Sequence, residues 1–169
     1  MSNPNGRAVR LRITCDKKFP NLINYIIKNI QIIFPENKVS IVDRKNIVDI
    51  SCYSNKWEEI LGWKAKNGSK IKQKVKVPNW IKNNPTFTKE CLRGLFQTDG
   101  SIYYDRNYLM TNFTSANYTL AKDVNEMLFK IGFDVNERKV VSKNNHIKYV
   151  VRISKNVKKF IKIINLWKE

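Results

Sequence analysis

The order strand, helix, strand, strand, helix can be read twice along this chain, and that repetition limits the fold more than any single motif. In the first pass, residues 9–14, VRLRIT, alternate strictly: Val9, Leu11 and Ile13 face one way, Arg10, Arg12 and Thr14 the other. Such alternation predicts a half-buried strand with a basic outer face. Leu22, Ile23, Ile26, Ile27 and Ile30 then recur at helical spacing, and Pro35 closes that region. KVSIV and NIVDIS read as two strands, and NKWEEILGW as a short helix with Trp57, Ile60 and Leu61 inward. The second pass starts after Gly100. SIYYD and YLMTNF are strands, and a helix from about Asn117 turns Leu120, Val124, Met127, Leu128 and Ile131 inward. DVNERKVV and HIKYVVRIS are strands, and a last helix buries Val157, Phe160, Ile161 and Ile164. Setting Ile50-Ser51 on Ile153-Ser154 matches the two passes at an offset of 103 residues, as expected of a diverged internal duplication.

Between the passes lies a polar, Lys-rich stretch, KAKNGSKIKQKVKVPNWIKNNP, punctuated by Pro78 and Pro85. It predicts three segments: a first half-domain over 1–63, a connector over 64–87 with a short helix at Asn79–Lys82, and a second half-domain over 88–169. The second half opens on a helix at roughly Thr88–Thr98.

Charge decides the class of partner. The 169 residues carry 32 Lys+Arg against 14 Asp+Glu, a net charge of +18, which attracts polyanions. Nucleic acid is the first candidate, and packing within a ribosome or chromatin is the plainer alternative. A membrane surface is the weaker candidate, because the lysines are spread over the whole chain instead of one amphipathic helix. Cys15, Cys52 and Cys91 are odd in number and form no CxxC pair, which predicts free thiols in a reducing compartment. With His146 as the single histidine, no ligand set for structural zinc is present. MSNPNGRAVRL shows no apolar signal segment, so the expected location is the cytoplasm, or an organellar matrix if the gene is organellar.

One stretch stands out from this basic background: CLRGLFQTDGSIYYD, residues 91–105, in which the least charged helix ends on Asp99. Leu92 and Phe96 are spaced to pack inward, while Cys91, Gly94 and Thr98 form a second stripe of small side chains. Glycine inside a helix costs about 1 kcal/mol relative to alanine. Close approach of another helix backbone is the usual reason to accept it. Two such helices side by side would bring two carboxylates together, a setting for Mg²⁺ and phosphate chemistry. The plain reading, Asp-Gly as a way into a turn, is the stronger one on spacing alone.

LRGLFQTDGS, preceded by VPNWI and a few helical residues, resembles the signature helix of the LAGLIDADG homing endonucleases, closest to the intein and intron subgroup. The resemblance covers the whole chain. It implies an α+β fold of two similar half-domains whose saddle-shaped antiparallel sheets grip double-stranded DNA, with the motif helices at the domain interface. By motif match it makes Asp99 a metal-binding, catalytic acid for Mg²⁺ and sets the Thr98 carbonyl beside it. Gly94 takes the close-packing position, with Cys91, Leu95 and Thr98 completing the helix interface. The resemblance also implies a basic residue on a late strand that supports the catalytic chemistry, and Lys148 is the candidate, since His146, Lys148 and Arg152 share a polar strand face; a merely solvated face accounts for them equally well. Arg10, Arg12, Lys72, Lys74, Arg138, Lys148 and Arg152 are the expected DNA contacts.

The chain departs from the family pattern in carrying one motif, in its middle. The same offset sets the counterpart of Asp99 ahead of Met1, so the first half is expected to lack its motif helix. Three explanations stay open: a fragment of a longer protein, loss of cleavage, or two chains supplying the two acids through a weak homodimer. The expected function is site-specific double-strand DNA cleavage, with a non-catalytic DNA or RNA binder, maturase or regulator, as the alternative.

Overall fold

The computed structural model describes residues 1–2, 8–142 and 144–167 and divides into two compact units, Met1–Gly68 and Ser69–Trp167. In the first, β1 (Arg10–Asp16), α1 (Pro20–Ile33), β2 (Val39–Asp43), β3 (Ile47–Tyr53) and α2 (Trp57–Leu61) follow the predicted order. The strands form an antiparallel sheet in the order β1-β3-β2. Leu11, Ile13 and Cys15 lie opposite Cys52, Ile50 and Val48 and turn their side chains into one core with α1 and α2. Arg10, Arg12 and Thr14 take the other face, as the alternation requires.

The second unit contains α3 (Asn79–Lys82), α4 (Pro85–Asp99), β4 (Gly100–Asp105), β5 (Tyr108–Ser115), α5 (Tyr118–Lys130), β6 (Asn136–Val141), β7 (Ile147–Ile153) and α6 (Val157–Ile163). Its four-stranded antiparallel sheet runs β4-β5-β7-β6. The motif helix starts three residues before the predicted Thr88, because Asn84 accepts the Thr86 and Phe87 N–H groups and Pro85 fits the first helical position. β4 and β5 close through Arg106 and Asn107, both at positive φ, the geometry of a tight two-residue hairpin.

Each unit seals its core with the same device, an edge-to-face aromatic pair between the end of the long helix and the helix after the last strand. Phe34 meets Trp57 at 4.7 Å between centroids, and Phe133 meets Phe160 at 5.4 Å. Ile50 and Ile153, the residues that set the repeat offset, are both fully buried. These matches carry the duplication into three dimensions.

The Lys-rich connector is not a free link. From Ser69 onward it belongs to the second unit, and Val77 is buried in that unit's core. Asn117 and Thr119 side chains both donate to the Val75 carbonyl, at 2.8 and 2.9 Å. Val77 N–H donates to Asp123 Oδ2 at 2.7 Å, and Lys82 Nζ donates to Asp123 Oδ1 at 2.7 Å. Asp123 is buried on α5, and Glu126 lies 3.6 Å from the same ammonium. Removing the carboxylate leaves the buried Val77 N–H without its acceptor and the part-buried Lys82 ammonium with the longer Glu126 contact, so Asp123→Ala is expected to lose about 3 kcal/mol of stability. Lys82→Met, which leaves the Val77 contact intact, should lose less. Urea unfolding of both variants checks the order; equal stability of Asp123→Ala and the wild type would refute it.

Candidate nucleic-acid interface

The polar face of the four-stranded sheet is fixed by strand register. Arg152 lies opposite Asn112 on β5 and Asn136 on β6, and Arg138 lies opposite Val150. Side chains of paired residues share a face, so Arg138, Lys148 and Arg152 project from one side, with Ser101, Tyr103 and Asp105 of β4. His146, read with them from the sequence, precedes the strand. Arg152 does not project freely. Its guanidinium pairs with Asp105 at 2.8 Å and lies over the Tyr103 ring at 5.9 Å, while its buried Nε finds no partner among the described residues. The neighbouring hollow, about 410 Å³, is lined by Asn136, Arg138, Arg152 and Ser154. Asp105 was missed from sequence because its partner lies 47 residues away.

α4 delivers Asp99 to the first residue of edge strand β4. Leu92, Phe96 and Gln97 are buried on its inner side, and Gln97 Nε2 donates to the Trp167 carbonyl at 3.0 Å. On the outer side Gly94, Thr98 and Asp99 are exposed, and Cys91 and Leu95 are half-buried. The Thr98 hydroxyl is shared among the Gly94 carbonyl (3.1 Å), the Leu95 carbonyl (3.2 Å) and Asp99 Oδ2 (3.3 Å). Lys148 is not beside Asp99. Gly100 pairs with Phe113, which pairs with Val151, so Lys148 lies two strands across and three residues along. That is roughly 14 Å of sheet.

Of the expected DNA contacts in the first unit, Arg10 donates from Nε to Ser2 Oγ at 3.1 Å and Arg12 is exposed. The same face holds Asp49, buried and paired with Arg44 at 2.8 Å. The Thr14 hydroxyl, 2.6 Å away, and the charges of Arg44 and Arg12 hold its carboxyl below the usual range. Lys72 and Lys74 are exposed in the connector.

The geometry defines an α+β protein whose four-stranded antiparallel sheet carries Arg138, Lys148 and Arg152 on its polar face and whose motif helix ends on an exposed acid. Residues 86–165, all within the second unit, match the model of the LAGLIDADG-like domain. The structure of the chain resembles that of the homing endonuclease I-DmoI bound to its target DNA with magnesium (TM-score 0.60, 18% identity, 98% of this chain and 85% of that one). It also resembles the N-terminal LAGLIDADG domain of WhiA (TM-score 0.58, 14% identity, 98% and 76%). Both likenesses concern the fold. In sequence, 106 residues are 32% identical to part of a tRNA-splicing ligase RtcB of Methanopyrus kandleri. The match spans 56% of this chain and 11% of that protein's length.

The two glycines of the motif serve different ends. A methyl group at Gly94 would meet no heavy atom within 4 Å, so nothing in the described chain uses the room that Gly94 leaves. At Gly100 it would stand 2.4 Å from the Phe96 carbonyl oxygen and 2.7 Å from Phe96 Cα. Gly100 has φ −92°, open to any residue, so it is required by space and not by backbone conformation. Gly94→Ala should therefore stabilise the chain by up to about 1 kcal/mol. Gly100→Ala should destabilise it by about 2 kcal/mol or more, within the range of overpacking. Thermal melts of the pair decide the matter, and the same sign for both would contradict it.

Burial, with the Asp123 carboxylate adding to it, pushes the Cys91 thiol up to about 11; burial raises Cys15 and Cys52 as well. The Asp123 hydrogen bond raises Lys82. A folded chain that keeps protons which the unfolded chain releases loses stability as pH rises, here from about 9 toward 11 for Cys91. Since thiolate is the reactive form, Cys91 should alkylate roughly 100-fold more slowly at pH 8 than an ordinary thiol. Mass spectrometry of iodoacetamide-treated native protein reads this directly, and rapid labelling of Cys91 would overturn it.

Proposed function

We propose that this chain binds double-stranded DNA on the polar faces of its antiparallel sheets and cuts it in the manner of a homing endonuclease. The observation that carries the reading is the motif helix, which ends on exposed Asp99 at the edge of a sheet whose face bears Arg138, Lys148 and Arg152. The I-DmoI complex with target DNA and magnesium supports it.

Asp99 suits a hard divalent cation as one ligand. Its carboxylate is exposed, and its Oδ2 accepts from the Thr98 hydroxyl at 3.3 Å. Mg²⁺ is commonly held by one or two carboxylates and completed by water and phosphate oxygens. Among the described residues no three His, Cys, Asp or Glu side chains gather, so Asp99 fits an ion shared with the DNA backbone. When bound, such an ion would supply Lewis-acid charge for phosphoryl chemistry, with Asp99 holding it. The chain's own cations do the rest. Arg138 and Lys148 neutralise phosphates, and Asp105 holds Arg152 in a fixed orientation for a guanine edge or a phosphate. A second motif helix, from a second copy meeting α4 at Gly94, would supply a second carboxylate.

Binding without cutting is the second reading, and the lone carboxylate at Asp99 favours it. Cleavage of a supercoiled plasmid library with Mg²⁺ separates the two. Asp99→Asn should abolish cutting while duplex affinity stays equal or rises, because a negative charge near phosphate is removed. Cutting unchanged in Asp99→Asn would exclude the catalytic role. A wild type that binds and never cuts leaves the second reading. Duplex affinity that does not fall with salt, by roughly 0.9 log units per tenfold salt for each phosphate neutralised, would exclude both.

A further inference from the structure

A groove of about 790 Å³ opens in the second unit where the start of β7 meets the connector and the start of α5. That size is within the roughly 300–1,000 Å³ of small-ligand sites. Its walls are the connector (Ile71, Lys74), the start of α5 (Tyr118) and the start of β7 (Ile147, Lys148, Tyr149), with His146 at the rim. Three exposed large apolar side chains gather along it: Ile71 is 54% exposed, Tyr118 50% and Ile147 41%. Tyr118 and Tyr149 form a tilted ring pair with centroids 5.0 Å apart. No Asp or Glu lines the groove, whereas two lysines do.

The wall is held, not collapsed. The Asn117 and Thr119 side chains fasten the connector at the Val75 carbonyl, and Lys74, next to that anchor, keeps a left-handed backbone at φ 48° that lysine rarely adopts. The result is a groove lined by the Tyr118–Tyr149 pair, with Lys74 on the connector wall.

We infer that this groove binds an unstacked nucleotide of single-stranded nucleic acid, its base stacked on Tyr118 and its phosphate met by Lys74. Aromatic faces that accept any base, beside a positive track for the backbone, are the means by which single strands are held without sequence readout. A paired base inside a duplex offers no such face, so the groove takes a different form of nucleic acid from the sheet. The inference stands apart from duplex cleavage at Asp99.

The test is fluorescence anisotropy with a labelled oligothymidylate of about ten nucleotides, beside a duplex of the same charge. Tyr118→Ala should weaken oligothymidylate binding about tenfold, in line with one lost stacking contact. Its duplex affinity should not change. Tyr118→Trp should restore or exceed wild-type binding, which a merely structural tyrosine would not do. Lys74→Ala should reduce the salt slope on single strands by about 0.7, one phosphate. The same series on oligouridylate shows whether the strand is DNA or RNA, and a loss on either supports the groove. Unchanged single-strand affinity in a folded Tyr118→Ala protein would overturn the inference, as would an equal loss on duplex. A protein that fails to bind duplex yet loses single-strand affinity on Tyr118→Ala would refute the sheet-face reading and leave the groove standing.

Discussion

The buried carboxylate of Asp123 is the contact on which the second unit depends. Taken alone, residues 64–85 are too polar and too rich in lysine to pack. One carboxylate accepting both the Val77 N–H and the Lys82 ammonium draws this segment onto α5. With Val77 seated, α3 follows, and the Thr88 hydroxyl donates to the Ile81 carbonyl at 2.9 Å, joining α3 to the first turn of α4. The direction of the motif helix, and so the position of Asp99 at its far end, descends from that tie. Cys91 is exposed to the same charge from the other side, which links the thiol's resistance to ionisation to the anchoring of the connector.

Much of this was open to sequence reasoning because it is local. Strict alternation in VRLRIT, helical spacing from Leu22 to Ile30 and the four-residue helix at Asn79–Lys82 all appear where periodicity and proline placement set them. The repeat was legible for the same reason, and the paired aromatics at Phe34–Trp57 and Phe133–Phe160 give it a physical content that low identity had hidden. What escaped was long-range. Asp123 reads as an ordinary exposed acid on an amphipathic helix, since nothing in its neighbourhood announces partners 41 and 46 residues away. Arg152 reads as a free cation until Asp105 is found opposite. Gly100 reads as a turn residue, but its backbone is extended and its constraint is the Phe96 carbonyl. The separation of Lys148 from Asp99 depends on strand order, which no local pattern contains.

The motif helix shows how one element serves two demands. Its inner side is bound by Phe96, which touches Phe113 and Phe160, at 6.0 and 4.9 Å between centroids. Its outer side is left small and open at Gly94. Stability comes from the first and is reduced by the second, a division expected where function requires a surface that the isolated fold does not use.

One asymmetry between the units has a practical bearing. In the second unit β5 is flanked on both sides, by β4 and β7, whereas β1, in the matching place, is the outer strand of its sheet. Ser2 bridges to Arg10 at one point of that margin. From Leu11 to Asp16 the outer hydrogen-bonding groups of β1 meet no strand among the described residues. Bare margins of this kind recruit other chains into shared sheets, and like charge is one of the means that keeps them apart. A chain at +18 has that protection in dilute buffer. Concentrated salt shortens the reach of the repulsion to a few ångströms. High ionic strength is therefore the condition under which copies of this chain are least discouraged from zipping together.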